Sequence, residues 1–127
     1  MALPPGHHRI LLVDDSMFAR MQVLRILKRY GFEIVEVDNV DKAVEKLREQ
    51  TFDIVISDYL MPGKFGESIL DEMHDLKISV PVIFLTADLQ QTTESILMGK
   101  GARAVLHKPV NGTDLIDTMQ AVFRADS

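Results

Sequence analysis

Residues 9–20 read RILLVDDSMFAR: after Arg9, the apolar run Ile10–Val13 stops abruptly at two adjacent acids, Asp14 and Asp15. A short apolar run bounded in this way fits a buried strand. Beyond it Ser16 is placed to cap a helix, because Met17, Met21, Leu24 and Leu27 recur at helical spacing before Gly31 ends the pattern. The stretch therefore reads as one strand followed by one helix, and the methionine stripe reads as the helix face packed on the core.

The same alternation recurs four more times. Strands are predicted at Glu33–Val37, Ile54–Ser57, Val82–Leu85 and Ala104–His107, besides Ile10–Val13. Three of them are nearly all apolar, as strands covered on both faces must be, whereas EIVEVD alternates and belongs at an edge. Asn39 is placed to cap a second helix carrying Ala43, Val44 and Leu47, and a third carries Ile69, Leu70, Met73 and Leu76. The fourth, in DLQQTTESILMGKGA, has only a short apolar patch and reads as the least firmly packed. The last spans about Thr113 to Arg124 and carries Leu115, Ile116, Met119, Val122 and Phe123. Five βα units with right-handed connections imply an α/β fold with a doubly wound, five-stranded parallel sheet, whose functional crevice lies at the strands' carboxyl ends.

Composition narrows the function classes. The 127 residues suit one domain, expected over residues 9–124 between a flexible arm, 1–8, and a short tail, 125–127. His7 and His8 are expected to be solvated. The opening MALPPGHHR lacks a signal-type apolar core, and no apolar run approaches a membrane span. A net charge of −5 argues against nucleic-acid binding, which needs clustered Lys and Arg. The absence of cysteine removes disulfides and thiolate chemistry and suits a cytoplasmic setting.

The polar residues at the strand ends carry the chemistry. Asp14 and Asp15 follow the first strand, Asp58 the third, Thr86 the fourth, and Lys108 with Pro109 the fifth. All face one edge. Each has an ordinary reading alone, as a cap, a loop charge or a surface lysine; the joint set is what points to a site. Acids converging at ~4 Å repel by about 4 kcal/mol per pair at an effective dielectric near 20. Hard oxygen donors without His or Cys select Mg²⁺, or Mn²⁺, to relieve that repulsion. A carboxylate can also attack phosphorus. Asp58 is the candidate, being single, at the end of the central strand and followed by the turn-like YLMPGKFG. Lysine and hydroxyl groups supply the charge neutralisation that phosphoryl transfer requires.

LLVDDS, DIVISDYLMPGKFG, VIFLTA and GARAVLHKP resemble, in order and spacing, the motifs of bacterial two-component response-regulator receiver domains of the chemotaxis-regulator type, over about Arg9 to Arg124. The resemblance implies a flavodoxin-like (βα)5 fold with strand order 2-1-3-4-5. It implies that Asp58 accepts a phosphoryl group from the phosphohistidine of a sensor histidine kinase or phosphotransfer protein. It makes Asp14, Asp15, Asp58 and the Leu60 carbonyl the Mg²⁺ ligands, and Thr86, Ala87 and Lys108 the groups that hold the phosphoryl oxygens and switch. Lys108–Pro109 is expected to be cis, aiming the lysine into the site. Leu60 and Asp88 occupy positions that tune dephosphorylation, and an output protein is expected on the face of helix 4, strand 5 and helix 5.

Two departures from the family pattern stand out. Val105 replaces the usual switch aromatic, and Phe65 stands where family members often carry Asp. A degenerate receiver serving as a constitutive docking module is the first alternative. A flavin-binding protein of flavodoxin type is the second, disfavoured because Asp14 and Asp15 would repel a phosphate dianion. His74, His107 and the basic run Arg25, Lys28 and Arg29 read as surface or packing residues. The chain stops soon after the last helix, so it is expected to be either a free-standing regulator or a receiver from a larger protein.

Overall fold

The computed structural model describes residues 8–126 except 62, 64 and 89; most of the N-terminal arm thus lies outside the described residues. The elements follow in order: β1 (Arg9–Val13), α1 (Met17–Leu27) with a 3-10 turn at Lys28–Tyr30, β2 (Glu33–Val37), α2 (Val40–Glu49), β3 (Ile54–Asp58), α3 (Glu67–Asp75), β4 (Val82–Thr86), α4 (Gln91–Gly99), β5 (Ala104–His107) and α5 (Gly112–Asp126). All strand pairs are parallel and the order is β2-β1-β3-β4-β5. The sheet is thus the doubly wound, flavodoxin-like one that the alternation and the resemblance imply.

Strand alternation sorts the core into two layers. Ile10, Leu12, Ile54, Ile56, Ile83 and Leu85 pack against Val23 and Leu27 of α1 and Leu115, Ile116 and Met119 of α5. Leu11, Val13, Val55, Val82 and Phe84 point the other way, against Ala43, Ile69, Met73 and Leu97 of α2 to α4. Both faces of β1, β3 and β4 are therefore covered, which is why these strands carry unbroken apolar runs, Ile10–Val13, Ile54–Ile56 and Val82–Leu85. β2, with its exposed Glu33 and Glu36, lies at an edge as its alternation requires.

The caps hold as read from the sequence. Ser16 Oγ accepts from Ala19 N at 3.2 Å and Asn39 Oδ1 from Lys42 N at 2.8 Å. Gly31 ends the first helical segment with φ 74°, in the left-handed region.

Three expectations are amended. Met17 and Met21 are 67% and 52% exposed, with Phe18 at 71%, so the methionine half of the stripe does not face the core; its leucine half does, Leu27 being fully buried and Leu24 partly so, together with Val23. α1 starts four residues after β1 ends, and its two buried residues, Val23 and Leu27, lie in its second half. His8 is not a solvated arm residue: its ring stacks on Phe123 at 4.5 Å, and its carbonyl accepts from Glu33 N. α5 continues to Asp126, two residues into the expected tail.

Candidate functional site

Register places the acids. β1 and β3 pair with Leu12 opposite Ile56 and Val13 opposite Ser57, so one further step sets Asp14 across from Asp58. Both continue the alternation of the isoleucines and leucines on the α1/α5 face. Asp14 and Asp58 are 2% and 6% exposed, and Asp15 is open to solvent. Carboxylate oxygens of Asp14, Asp15 and Asp58 all lie within 4.8 Å of one another.

Two adjacent acids can share one site only if the chain turns between them, and it does. Asp14 Oδ1 accepts from Ser16 N at 2.9 Å, closing an Asx turn that runs directly into the cap of α1. The Asp14 backbone is held from both sides, its N–H donating to the Val37 carbonyl and its carbonyl accepting from the Arg20 guanidinium. Arg20 also pairs with Glu36 at 3.3 Å and ties α1 to β2. Sequence reading gave Arg20 no role, because only its position one helical turn beyond Ser16 hints at this reach.

Lys108 joins the acids from the far edge. Its Nζ lies 3.0 Å from Asp14 Oδ2 and 3.3 Å from Asp58 Oδ1, and its backbone N–H donates to the Thr86 carbonyl at 2.8 Å. The Lys108–Pro109 peptide is cis. Burial, with the Asp14 charge second, pushes the Asp58 carboxyl up to about 6 against the opposing pull of Lys108. Burial works against the Lys108 ammonium, but its hydrogen bond to Asp14 and the charge of Asp58 outweigh it and hold its pKa above the usual lysine value.

One ammonium against three carboxylates leaves the cluster short of positive charge. Its donors are all hard oxygens with no nitrogen or sulfur ligand, the chemistry that suits Mg²⁺ or Mn²⁺. The residues present therefore fit a divalent cation.

Thr86 is 1% exposed at the end of β4, with a pleat that sets it on the Phe84 face. Its Oγ1 accepts from Asp88 N at 3.0 Å. Ala87, next along, is exposed. Both carboxylate oxygens of Asp88 are engaged by the start of α4: Oδ1 accepts from Gln90 N at 2.9 Å and Oδ2 from Thr93 Oγ1 at 2.7 Å. The Thr93 bond, followed by the Gln90 bond, holds the Asp88 carboxyl below its usual range. Leu60 lies two residues past Asp58 with an exposed side chain. Val105, opposite Phe84 in the β4–β5 register, is partly buried against the α2–α4 core layer.

The β3–α3 loop carries a contact that sequence reading missed. Gly66 folds back so closely that a Cβ there would meet the Asp58 carbonyl oxygen at 2.4 Å and the Phe84 ring at 2.9 Å. Its N–H donates to the Tyr59 carbonyl at 2.7 Å. Phe65 is exposed and stacks on Tyr59 at 5.7 Å, and Tyr59 meets Phe84 edge-on at 6.4 Å. The departure at Phe65 thus has a packing role on the loop that follows Asp58. His74 is exposed, as expected, and His107 is exposed at the end of β5 and not packed.

An acid pair just after β1, an acid ending β3, a hydroxyl ending β4 and a lysine after β5 define one carboxyl-edge site on a doubly wound sheet. The sequence model of the response regulator receiver domain matches residues 10–120, and the chain belongs to that family, the receiver of two-component signalling. It is 34% identical over 113 residues to the chemotaxis protein CheY of Bacillus subtilis, covering 88% of this chain and 94% of that protein. It is 32% identical over 115 residues to the sensory/regulatory protein RpfC of Xanthomonas campestris, covering 87% of this chain and 16% of that longer protein. Among solved structures, the chemotaxis protein CheY4 of Vibrio cholerae has a TM-score of 0.84 at 28% identity, covering 92% of this chain and 99% of that one.

Proposed function

We infer that this receiver is an active phosphoacceptor, with Asp58 taking a phosphoryl group from the phosphohistidine of a sensor histidine kinase or phosphotransfer protein. The observation that carries this reading is the bridge from Lys108 to both Asp14 and Asp58. It keeps the acceptor oxygen beside a cation that can follow the charge onto a phosphoryl oxygen.

In the transfer, a carboxylate oxygen of Asp58 attacks phosphorus. The O–P bond forms as the N–P bond of the phosphohistidine breaks, and the imidazole nitrogen keeps the electron pair and takes up a proton. Lys108 then shifts from carboxylate to phosphoryl oxygen, and Thr86 donates its hydroxyl to another. Asp14, Asp15, Asp58 and the Leu60 carbonyl would hold Mg²⁺, which when bound supplies the positive charge that the acids and phosphoryl oxygens lack. Water attack on the aspartyl phosphate later returns free Asp58, so the domain assists its own phosphorylation and dephosphorylation without being an ordinary turnover enzyme. Phosphorylation switches binding of an output protein on the α4–β5–α5 face, in the cytoplasm. Among the described residues no helix is long and apolar enough to cross a membrane.

Radiolabelled acetyl phosphate with Mg²⁺ should label the protein and not Asp58→Asn. Equal labelling of the variant would remove the acceptor assignment. A colourless purified protein counts against the flavin-binding alternative. The constitutive docking alternative draws on Val105, and partner affinity unchanged by phosphorylation would favour it.

A further inference from the structure

Position 105 poses a problem for a phosphorylation switch. The small, partly buried Val105 packs against the α2–α4 core layer and has no ring to swing into space vacated by Thr86. A signal that starts at Thr86 needs another carrier.

An unbroken set of contacts leads from Thr86 to α4. Thr86 Oγ1 accepts from the Asp88 N–H at 3.0 Å, the Asp88 carboxylate accepts from Gln90 N and from Thr93 Oγ1, and Thr93 is a buried residue within the first turn of α4. Gln90, at the cap position, makes no side-chain capping bond to the helix backbone and only accepts from Thr92 Oγ1 at 3.5 Å, so it is the Asp88 carboxylate that ties the strand-end loop to the start of the helix, through Gln90 N and Thr93 Oγ1. α4 itself buries only Thr93 and Leu97 and exposes Ile96 and Met98. An element with so little buried surface is easily displaced.

Resting on the receiver reading above, we propose that Asp88 and Thr93 form the coupling relay of this protein, carrying the response of Thr86 into α4 in place of the missing aromatic at position 105. A hydroxyl has one proton to donate and two lone pairs to accept. Thr86 can donate to a phosphoryl oxygen while still accepting from Asp88 N only if Asp88 follows it. If Asp88 stays behind, the Thr86–Asp88 bond breaks. In the first course the Asp88 carboxylate moves and draws Thr93 and α4 with it; in the second α4 is released from its tie to β4. Asp88 and Thr93 are positioning residues; neither is assigned contact with the reacting atoms.

The test uses amide hydrogen exchange of the full chain, with and without beryllofluoride and Mg²⁺, on wild type, Thr93→Val and Thr93→Ser. Valine keeps the shape of threonine and removes the donor; serine keeps the donor. Wild type should show beryllofluoride-dependent changes of roughly 5-fold or more in exchange over residues 90–99, the lower end of usual coupling strengths. Thr93→Val should bind beryllofluoride equally well but lose that change, and Thr93→Ser should regain it. If Thr93→Val loosens α4 in both states while the ligand-dependent difference persists, Thr93 is merely structural and the relay is overturned. A wild type that binds beryllofluoride without any response in α4 overturns it too. A wild type that fails to bind beryllofluoride refutes the receiver reading itself, and is told apart by that failure.

Discussion

Lys108 Nζ sits between two buried carboxylates, 3.0 Å from Asp14 and 3.3 Å from Asp58, and it is the group that makes their proximity tolerable in the absence of metal. Lys108→Met should therefore destabilise the metal-free protein at pH 7.5 by ~1–3 kcal/mol, the usual cost of leaving a buried charge without its partner. The deficit in urea unfolding should shrink at pH 4.5, where Asp58 carries a proton. Labelling by acetyl phosphate should also fall by about tenfold or more, given typical losses for removed charge stabilisation. An equal deficit at both pH values would show that the lysine acts through packing alone.

Asp58 gives the opposite sign. Its folded pKa of about 6 lies above the ordinary carboxyl value of 3.8, so the folded chain holds a proton that the unfolded chain releases between these values. Stability from this group is full below about pH 4 and is lost as pH rises through about 6. Asp58→Asn should then stabilise the metal-free protein at pH 7.5 by up to ~3 kcal/mol, at ~1.4 kcal/mol per pKa unit, and by little at pH 4. Thermal melts in a metal chelator across this range check the sign.

Asp15 tests the cation site without disturbing the core. It is exposed, so Asp15→Asn should change metal-free stability by no more than ~0.5 kcal/mol. Mg²⁺ at about 100 times its dissociation constant should stabilise wild type by ~2.7 kcal/mol, and the variant should need far more Mg²⁺ for the same gain. A Mg²⁺ titration of the melting temperature reads both; identical titrations would remove Asp15 from the ligand set.

Gly66 and Gly99 form a matched pair. A Cβ at Gly66 would fall 2.4 Å from the Asp58 carbonyl oxygen, whereas at Gly99 nothing lies within 4 Å. Gly66→Ala should cost ~2–3 kcal/mol because backbone must move, and should slow acetyl phosphate labelling by displacing Asp58. Gly99→Ala should be neutral or stabilising by up to ~1 kcal/mol. Equal unfolding midpoints for the two variants would contradict the close approach.

The α1 stripe divides into an exposed methionine half and a buried leucine half. Met17→Gln and Met21→Gln should each change stability by less than ~0.5 kcal/mol, and Leu27→Ala should cost ~2–5 kcal/mol. A large loss from either methionine in chemical denaturation would restore the core-facing stripe.

Much of this protein is legible along the chain because its signals are local. Apolar runs of strand length, Ser16 and Asn39 at helix starts, and Gly31 at an end depend only on near neighbours, and the structure places all of them as read. The motifs from LLVDDS to HKP lie at strand ends, so a parallel sheet brings them to one edge whatever the details. What tertiary structure alone decided is how separate segments meet. The β1–β3 register sets Asp14 opposite Asp58, Gly66 closes on the Asp58 carbonyl, and Asp88 turns its carboxylate to Thr93. The exposed methionines show the same divide: helical spacing defines a stripe on α1, but only tertiary packing determines which part of it is covered, Leu24 and Leu27 and not Met17 and Met21. Local propensity acts through bonds between near neighbours, whereas burial and electrostatics act between atoms that chain order leaves far apart.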